Sequence, residues 1–518
     1  MRGAGPQGRN QSMKRAKFLG LILIVTLLGT SCSSEIFEED IYGGTLQLRT
    51  ASEGISSLDP QRVYSDRDVA ILSTYMHRTL VTYDMKPGSA GSVLVPDLAT
   101  DLGRASNNFK SWTFTLKDDL VFENGAAITC YEIKYGVSRS FATVALSGGQ
   151  PYARRYLDIP AKKNGQSKYF GPYKAKAENQ ALYDNAVECS ADGKEITFIL
   201  NQSMPDFNYV VASPAFAPVP LDENGNSGNR YELKPLASGP YRYSDASTPD
   251  NLLLIRNLKW SHDDVRKALP DQIMISSNRT ENETVTEIIE GVNLGNDAVN
   301  LDQLSDTNLL RIFNDPAYEE QRLNDVENSM SAIMFNLETV PCASLRRALY
   351  FALNRNELVN KDRGSIFGPT LITSLFPASL FPAFSSPIAG FEDLLDNGNS
   401  ERAKALLLQS KSECPGIYKT ATTKDLGMTL LVWDSDTAIA QAESVSKWAK
   451  KVGIQIKVKV ASTQIYYAKL RSAKKRPDLF LLTFTPEWLH PASVAREFLM
   501  PDGYRQFISS GKSDEFKP

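Results

Sequence analysis

His77, His262 and His490 are the three histidines of this 518-residue chain, and they lie far apart in sequence. An imidazole works as a base or a metal ligand only beside a nucleophile, a carboxylate or a second ligand. The chain has no G-x-S-x-G, no H-E-x-x-H, no P-loop and no G-x-G-x-x-G. Each histidine therefore reads as structural, and the chain as a non-enzyme. The adjacent carboxylates Glu38–Glu39 and Asp263–Asp264 read as solvated. Of the five cysteines, Cys32 stands alone near the start. Cys130, Cys189, Cys342 and Cys414 can be joined in three ways in an oxidising compartment. Position favours Cys130–Cys189 with Cys342–Cys414, because each pair then stays within one half of the chain. Four buried free thiols are the alternative. No C-x-x-C occurs and no histidine neighbours a cysteine at ligand spacing, so no metal is expected.

The whole-chain balance narrows the field further. The 57 Lys plus Arg against 60 Asp plus Glu leave a net charge of −3. A nucleic-acid surface needs a basic stripe, so no nucleic-acid partner is expected. The 42% hydrophobic and 23% charged content is that of an ordinary globular protein. At about 100–200 residues per domain, the length allows two to four domains.

The first residues stand apart from that body. Lys14, Arg15 and Lys17 precede the uncharged apolar run Phe18–Leu28, then small residues Gly29, Thr30 and Ser31, then Cys32. That is the layout of a secretory signal, with Met13 the better start. The run falls short of the ~20 residues a spanning helix needs, and no other long apolar run follows. Cys32 behind small residues resembles a bacterial lipobox, although Gly29 stands where Leu is usual. The resemblance implies diacylation of Cys32, each buried CH₂ contributing about 0.8 kcal/mol to attachment. An ordinary cysteine behind the signal is the alternative. The protein is expected to be exported and lipid-anchored on the outer face of the cytoplasmic membrane, in an extracellular or periplasmic setting.

Residues 33–41 read as a polar tether. Gly43–Arg49 then alternates as a strand, and Leu58-Asp59-Pro60 makes a turn. Val69–Tyr83 reads as one helix with Val69, Leu72, Tyr75, Met76 and Leu80 on its apolar face. Trp112–Leu116 alternates as a strand. Thr129 and Glu132 form a capping box that opens a helix towards Phe141. Leu146–Asn185 shows no period and reads as ordered loop. Strands follow at Glu195–Leu200, Leu252–Arg256 and Met330–Asn336, and helices at Thr284–Glu290, Ser344–Leu358 and Glu401–Leu408. The last third runs strand Met428–Trp433, helix Ala438–Lys451 ended by Gly453, strand Ile454–Val460 and strand Asp478–Phe484. The class is mixed α/β, with β-α-β order in the second half and no repeat of about 20–50 residues.

In this order the segments resemble the extracellular solute-binding proteins of ABC importers, the oligopeptide- and dipeptide-binding class of family 5. Gly43–Leu46 with Leu58-Asp59-Pro60 is similar to the family's opening. Trp112–Leu116, Val121–Gly125, Ile128-Thr129 and Lys134–Arg139 resemble its most specific signature. Ser238–Tyr241 and Leu254–Asn257 resemble its central turn and strand. Phe335-Asn336, Pro341, Leu345–Ala348 and Ala352–Arg355 resemble the helix opening its second half. The Cys-bearing segments and Leu157–Pro160 are most similar to actinobacterial lipoprotein members.

The resemblance implies a two-lobed, periplasmic-binding-protein-like fold of three domains whose lobes close on ligand. Residues 42–95, 186–262 and 485–518 would form a discontinuous first domain, 96–185 a second domain of the same lobe, and 263–484 the second lobe. Family members usually continue further, so the C-terminal part is expected to be truncated. The implied partners are a peptide ligand and the permease and ATPase subunits of an importer, with no cofactor. The same scaffold carries nickel chelates, haem or oligosaccharides, so a different solute is the alternative, as is a decayed member. An anchored hydrolase would need a nucleophile–base pair that the chain does not display.

A binder of many peptides must hold what all peptides share. Backbone groups require a strand edge, and an enclosed α-amine requires a carboxylate. The family places an Asp four residues before a Pro, after the last strand above, to pair with the ligand amine. Here Glu487 stands four residues before Pro491, one methylene longer; a solvated loop carboxylate is the alternative. Thr483, Phe484 and Thr485 would offer main chain to the peptide. Trp433, Tyr466, Tyr467 and Trp488 are candidates for lining side-chain pockets, with core packing the alternative.

Overall fold

The computed structural model describes residues 43–499, apart from 52, 174–175, 222–230, 262–264, 291–297, 324–328, 362–367, 373, 377–380, 382, 384–395, 416–425 and 473–474. The signal, Cys32, the tether, His262, Asp263–Asp264 and the expected early stop lie outside the described residues.

Among the described residues, three larger sheets and one two-stranded sheet organise the chain. In the first, β1 (Thr45–Arg49) lies between β11 (Ala298–Asn300) and β10 (Gln272–Ser276), parallel to both. Strands β9 (Asn251–Arg256) and β8 (Tyr241–Tyr243) continue it antiparallel. Leu48, Ile273, Ile275 and Leu254 pack there with Leu72 of the following helix, Asp66–Tyr75, and with Met76 at its C-cap. That helix is shorter than the expected Val69–Tyr83. The amides of Met76 and His77 both donate to the Leu72 carbonyl and close its end. Leu80 and Val81 then leave the helix for a different core. Val81–Tyr83 becomes β2, paired antiparallel with β3 (Leu94–Pro96).

The second sheet is antiparallel, in the order β4 (Arg104–Ser106), β5 (Ser111–Thr115), β7 (Glu195–Ile199), β6 (Val187–Cys189). Its alternation is that of a sheet with one covered face. Trp112, Phe114, Ile196 and Phe198 are buried, while Thr113 and Thr197 bond to each other through their hydroxyls at 2.8 Å. The helix Cys130–Arg139 packs on it, opened by the expected capping box, with Thr129 N donating to Glu132 Oε2 at 2.8 Å. A disulfide joins Cys130 to Cys189, tying the helix to β6. The expected loop over Leu146–Asn185 contains two helices, Tyr152–Tyr156 and Ala177–Asp184. They are too short to display a 3.6-residue period.

In the third sheet, β15 (Leu479–Phe484) lies between β12 (Met330–Phe335), antiparallel, and β13 (Leu426–Trp433), parallel; β14 (Ile454–Ala461) closes the edge. Leu479 and Leu481 face one core, and Phe480 and Leu482 the other. Burial on both faces explains why this strand reads as a continuous apolar run. The helix Asp436–Lys451 crosses from β13 to β14 with Ala438, Ala442, Val445 and Ala449 buried along one stripe. Gly453 ends it at φ +94°, a conformation that suits glycine. On β14, Lys457 and Lys459 are exposed. The expected helix Ser344–Leu358 is two helices, Ala343–Ala352 and Arg355–Asn360. Asn354 caps the second, its Oδ1 accepting from Glu357 N at 2.9 Å. The second disulfide joins Cys342 to Cys414, at the start of Ala343–Ala352 and just past the helix Ser400–Glu413.

Strands β6 and β7 hydrogen-bond into the second sheet beside β5. Strands β10 and β11 pair with β1 in the first. Residues 485–499 do not join the first sheet. Trp488 packs in the core of the second, and Val494 and Phe498 in that of the third.

Candidate ligand-binding site

The segment after β15 packs in the cores of both the second and the third sheet. Pairing with β12 runs the whole length of β15, from Met330↔Phe484 to Phe335↔Leu479. Pairing with β13 covers only Leu479 and Phe480. Among the described residues, Leu482 and Thr483 therefore have no strand partner on the side away from β12. The chain then passes through exposed Thr485 and buried Pro486 to Glu487, and enters the helix Pro491–Leu499.

Glu487 does not stand free. Arg155 of the helix Tyr152–Tyr156 donates from Nη1 to its two carboxylate oxygens at 2.9 and 3.2 Å. The Glu497 carboxylate lies 4.0 Å from the same Nη1. Burial lowers the Arg155 pKa, but the Glu487 charge, the Tyr156 phenol and the hydrogen bonds to both together outweigh that and hold the guanidinium above its ordinary value. The Tyr152 hydroxyl donates to the Glu487 carbonyl at 3.3 Å. Burial, reinforced by the Glu487 charge, pushes that phenol well up. Burial likewise pushes Tyr156 up to about 12, so both phenols stay neutral.

The following residues are anchored in the second domain. The Trp488 indole stands edge-on to the rings of Tyr152 and Tyr156 at 5.7 and 6.1 Å. Its Nε1 donates to Asp206 Oδ2 at 2.8 Å. Arg496 Nη2 donates to the other oxygen of Asp206 at 3.2 Å. The Leu489 amide meets the Tyr83 hydroxyl at 3.1 Å. His490 packs 4.8 Å from the ring of Tyr209, with its Nδ1 4.0 Å from Asp206. Burial lowers the His490 pKa against the pull of Asp206, which leaves a neutral ring near pH 7.

The other site candidates are dispersed. The Thr483 hydroxyl bonds Ser331 at 2.7 Å. The Phe484 side chain is buried, 4.5 Å from the Phe498 ring. Tyr466 is buried and donates to the Leu481 carbonyl, and half-buried Trp433 meets it edge-on at 5.7 Å. Tyr467 is exposed. Trp488, Phe484 and Tyr466 thus contribute packed rings beside β15 and its exit. The motif residues Asp59 and Arg139 are also structural. Both are fully buried, with Arg139 donating from Nη1 and Nη2 at 3.0 and 2.6 Å. His77 is buried too, bonded through Nε2 to the Leu58 carbonyl at 3.0 Å.

Sequence reasoning missed Arg155, Asp206, Arg496 and Glu497. The one available signal was the Arg154-Arg155 doublet between two tyrosines, inside a stretch read as loop. Its partner lies 332 residues away.

A sequence model of the bacterial extracellular solute-binding proteins, family 5, matches residues 93–506. The oligopeptide-binding protein OppA of Bacillus subtilis (strain 168) is 22% identical over 482 residues, 89% of this chain and 80% of its own. The periplasmic murein peptide-binding protein MppA of Escherichia coli (strain K12) is 22% identical over 455 residues, 86% of this chain and 76% of its own. Among solved structures, clavulanic acid biosynthesis oligopeptide binding protein 2 superposes with a TM-score of 0.72 at 24% identity, over 89% of this chain and 80% of that one. The unliganded open form of the MppA periplasmic murein tripeptide binding protein gives 0.68 at 18% identity, over 90% and 83%. At such identities the superpositions establish a shared fold, the mixed α/β, two-lobed fold of solute-binding proteins.

Proposed function

The chain belongs to the bacterial extracellular solute-binding proteins of family 5, a family of transport proteins, and we propose that it captures peptides for an ABC importer. The observation that carries this reading is the juxtaposition at the end of β15. A strand whose β13 partner stops at Phe480 offers main chain at Leu482 and Thr483 to an added strand. A half-buried carboxylate, Glu487, follows within a few residues to receive the α-amine. Main-chain pairing accepts any sequence, and the carboxylate fixes register at the one charge that every free peptide carries at that end. The peptides named in OppA and MppA support the same cargo. The permease and ATPase subunits of the importer are the partners, and a diacylated Cys32 would hold the protein on the outer face of the membrane beside them.

The test is a titration of the purified protein with a short-peptide digest of casein, before and after N-acetylation. Charge-assisted bonds of this kind contribute about 1.5–3 kcal/mol. Glu487→Gln should therefore weaken binding of the free-amine digest about ten- to a hundredfold and leave the acetylated digest unaffected. Equal weakening of both would remove Glu487 from amine recognition.

A further inference from the structure

The Glu487 carboxylate is occupied in this structure by a cation from the chain itself. Arg155 reaches it from the second domain at 2.9 Å, while the Glu487 backbone is held by Tyr152 of the same short helix at 3.3 Å. A guanidinium and an α-ammonium make the same demand on a carboxylate, namely N–H donors carrying a positive charge. The two cannot share Glu487 without bringing like charges together. A ligand amine must therefore displace Arg155, and a displaced, half-buried guanidinium needs another acceptor. One is within reach: Glu497 lies 4.0 Å from the same Nη1 atom, one helical segment further along. The length of Glu487 fits this arrangement. An Asp there would hold its carboxylate about 1.5 Å further back, out of hydrogen-bond range of Arg155.

We propose that Arg155 stands in for the ligand's ammonium on Glu487 when no ligand is bound and exchanges to Glu497 when the ammonium arrives. Arg155 is then a specificity-setting residue that no motif reveals. It makes the site self-neutralised when empty and charges every free-amine ligand an exchange of ion pairs. The inference rests on the amine role of Glu487 argued above. It adds a direction: the arginine opposes binding of a free amine, although it is a polar residue of the site.

The experiment is the same casein digest, free and N-acetylated, titrated against the full-length protein by tryptophan fluorescence. Arg155→Met should bind the free-amine digest up to about fivefold tighter, the range set by a partly exposed ion pair. Its affinity for the acetylated digest should stay unchanged. Glu497→Gln removes the second acceptor and should bind the free-amine digest several-fold weaker. Arg155→Lys restores the charge and should return towards the wild type. An Arg155→Met affinity equal to or weaker than wild type, at an unchanged melting temperature, overturns the exchange. If Arg155→Met melts early, Arg155→Lys against Glu497→Gln decides it by the same comparison. A wild-type protein that ignores acetylation refutes the amine role of Glu487. Wild-type discrimination with no shift in the variants refutes only the exchange.

Discussion

Asp206 is the residue on which the geometry of the site most depends, and Asp206→Asn is the perturbation that tests it. Its carboxylate is fully buried and accepts the Trp488 indole N–H at 2.8 Å and Arg496 Nη2 at 3.2 Å. Asparagine keeps the shape and one acceptor oxygen but removes the charge. Arg496, only 9% exposed at its side chain, is then left as an uncompensated cation. Breaking a buried pair by removing one partner costs about 3–5 kcal/mol, and the lower end applies because Arg496 retains a rim of solvent. Asp206→Asn should thus lose about 3 kcal/mol in urea unfolding followed by tryptophan fluorescence. The double variant Asp206→Asn/Arg496→Met removes both charges and should recover at least about 2 kcal/mol of that loss, a coupling of the size expected for direct partners. Because Trp488 adjoins Glu487, peptide affinity should fall in the single variant and recover in the double. A loss below about 1 kcal/mol, or equal losses in single and double variants, would refute the view of Asp206 as the anchor of residues 488–496.

Two further outcomes follow from buried chemistry elsewhere. The disulfides close loops with separations of 59 and 72 residues, each contributing about 4 kcal/mol in the chain-entropy model. Reduction should lower the melting temperature, and alkylation of the unreduced protein should add no mass at these four cysteines. Burial lowers the His77 pKa from 6.5 to about 4, so the unfolded chain binds the extra proton first. The stability it confers is complete above pH 6.5 and is lost as pH falls towards 4, at about 1.4 kcal/mol per pH unit. In His77→Gln the slope of stability against pH should flatten by that amount over this window; an unchanged slope would mean the imidazole is not held neutral.

What the sequence made legible were features decided by neighbours along the chain. The capping box of Thr129 and Glu132, the alternation of Trp112 and Phe114, and the apolar run of β15 are local patterns, and each appears in the structure where it was expected. Segments decided by distant partners were opaque. Leu80 and Val81 suit a helix face as well as a buried strand, and only the core around β5 selects the strand. Strands β10 and β11 belong with β1 because of pairing across more than two hundred residues, for which no local pattern exists. At the candidate site, Glu487 was singled out through family spacing, whereas Arg155 and Asp206 were not, because ion-pair partners leave no mark on each other's sequence. The surroundings of the aromatic candidates were opaque for another reason. A tyrosine or tryptophan looks the same in sequence whether its ring is buried or exposed, and the rings of Tyr466 and Trp488 are buried.

The lysines on β14 acquire a meaning beyond solubility once the third sheet is seen as a reader of strands. If β15 takes up extended chain as proposed, the same sheet is chemically competent to take it up at its outer border, including the border of an identical molecule. Lys457 and Lys459 line that border and are exposed. Two such borders brought together would stack like charges at strand spacing. Edge-to-edge pairing of two molecules through β14 is thereby disfavoured, at the border of the sheet opposite β12.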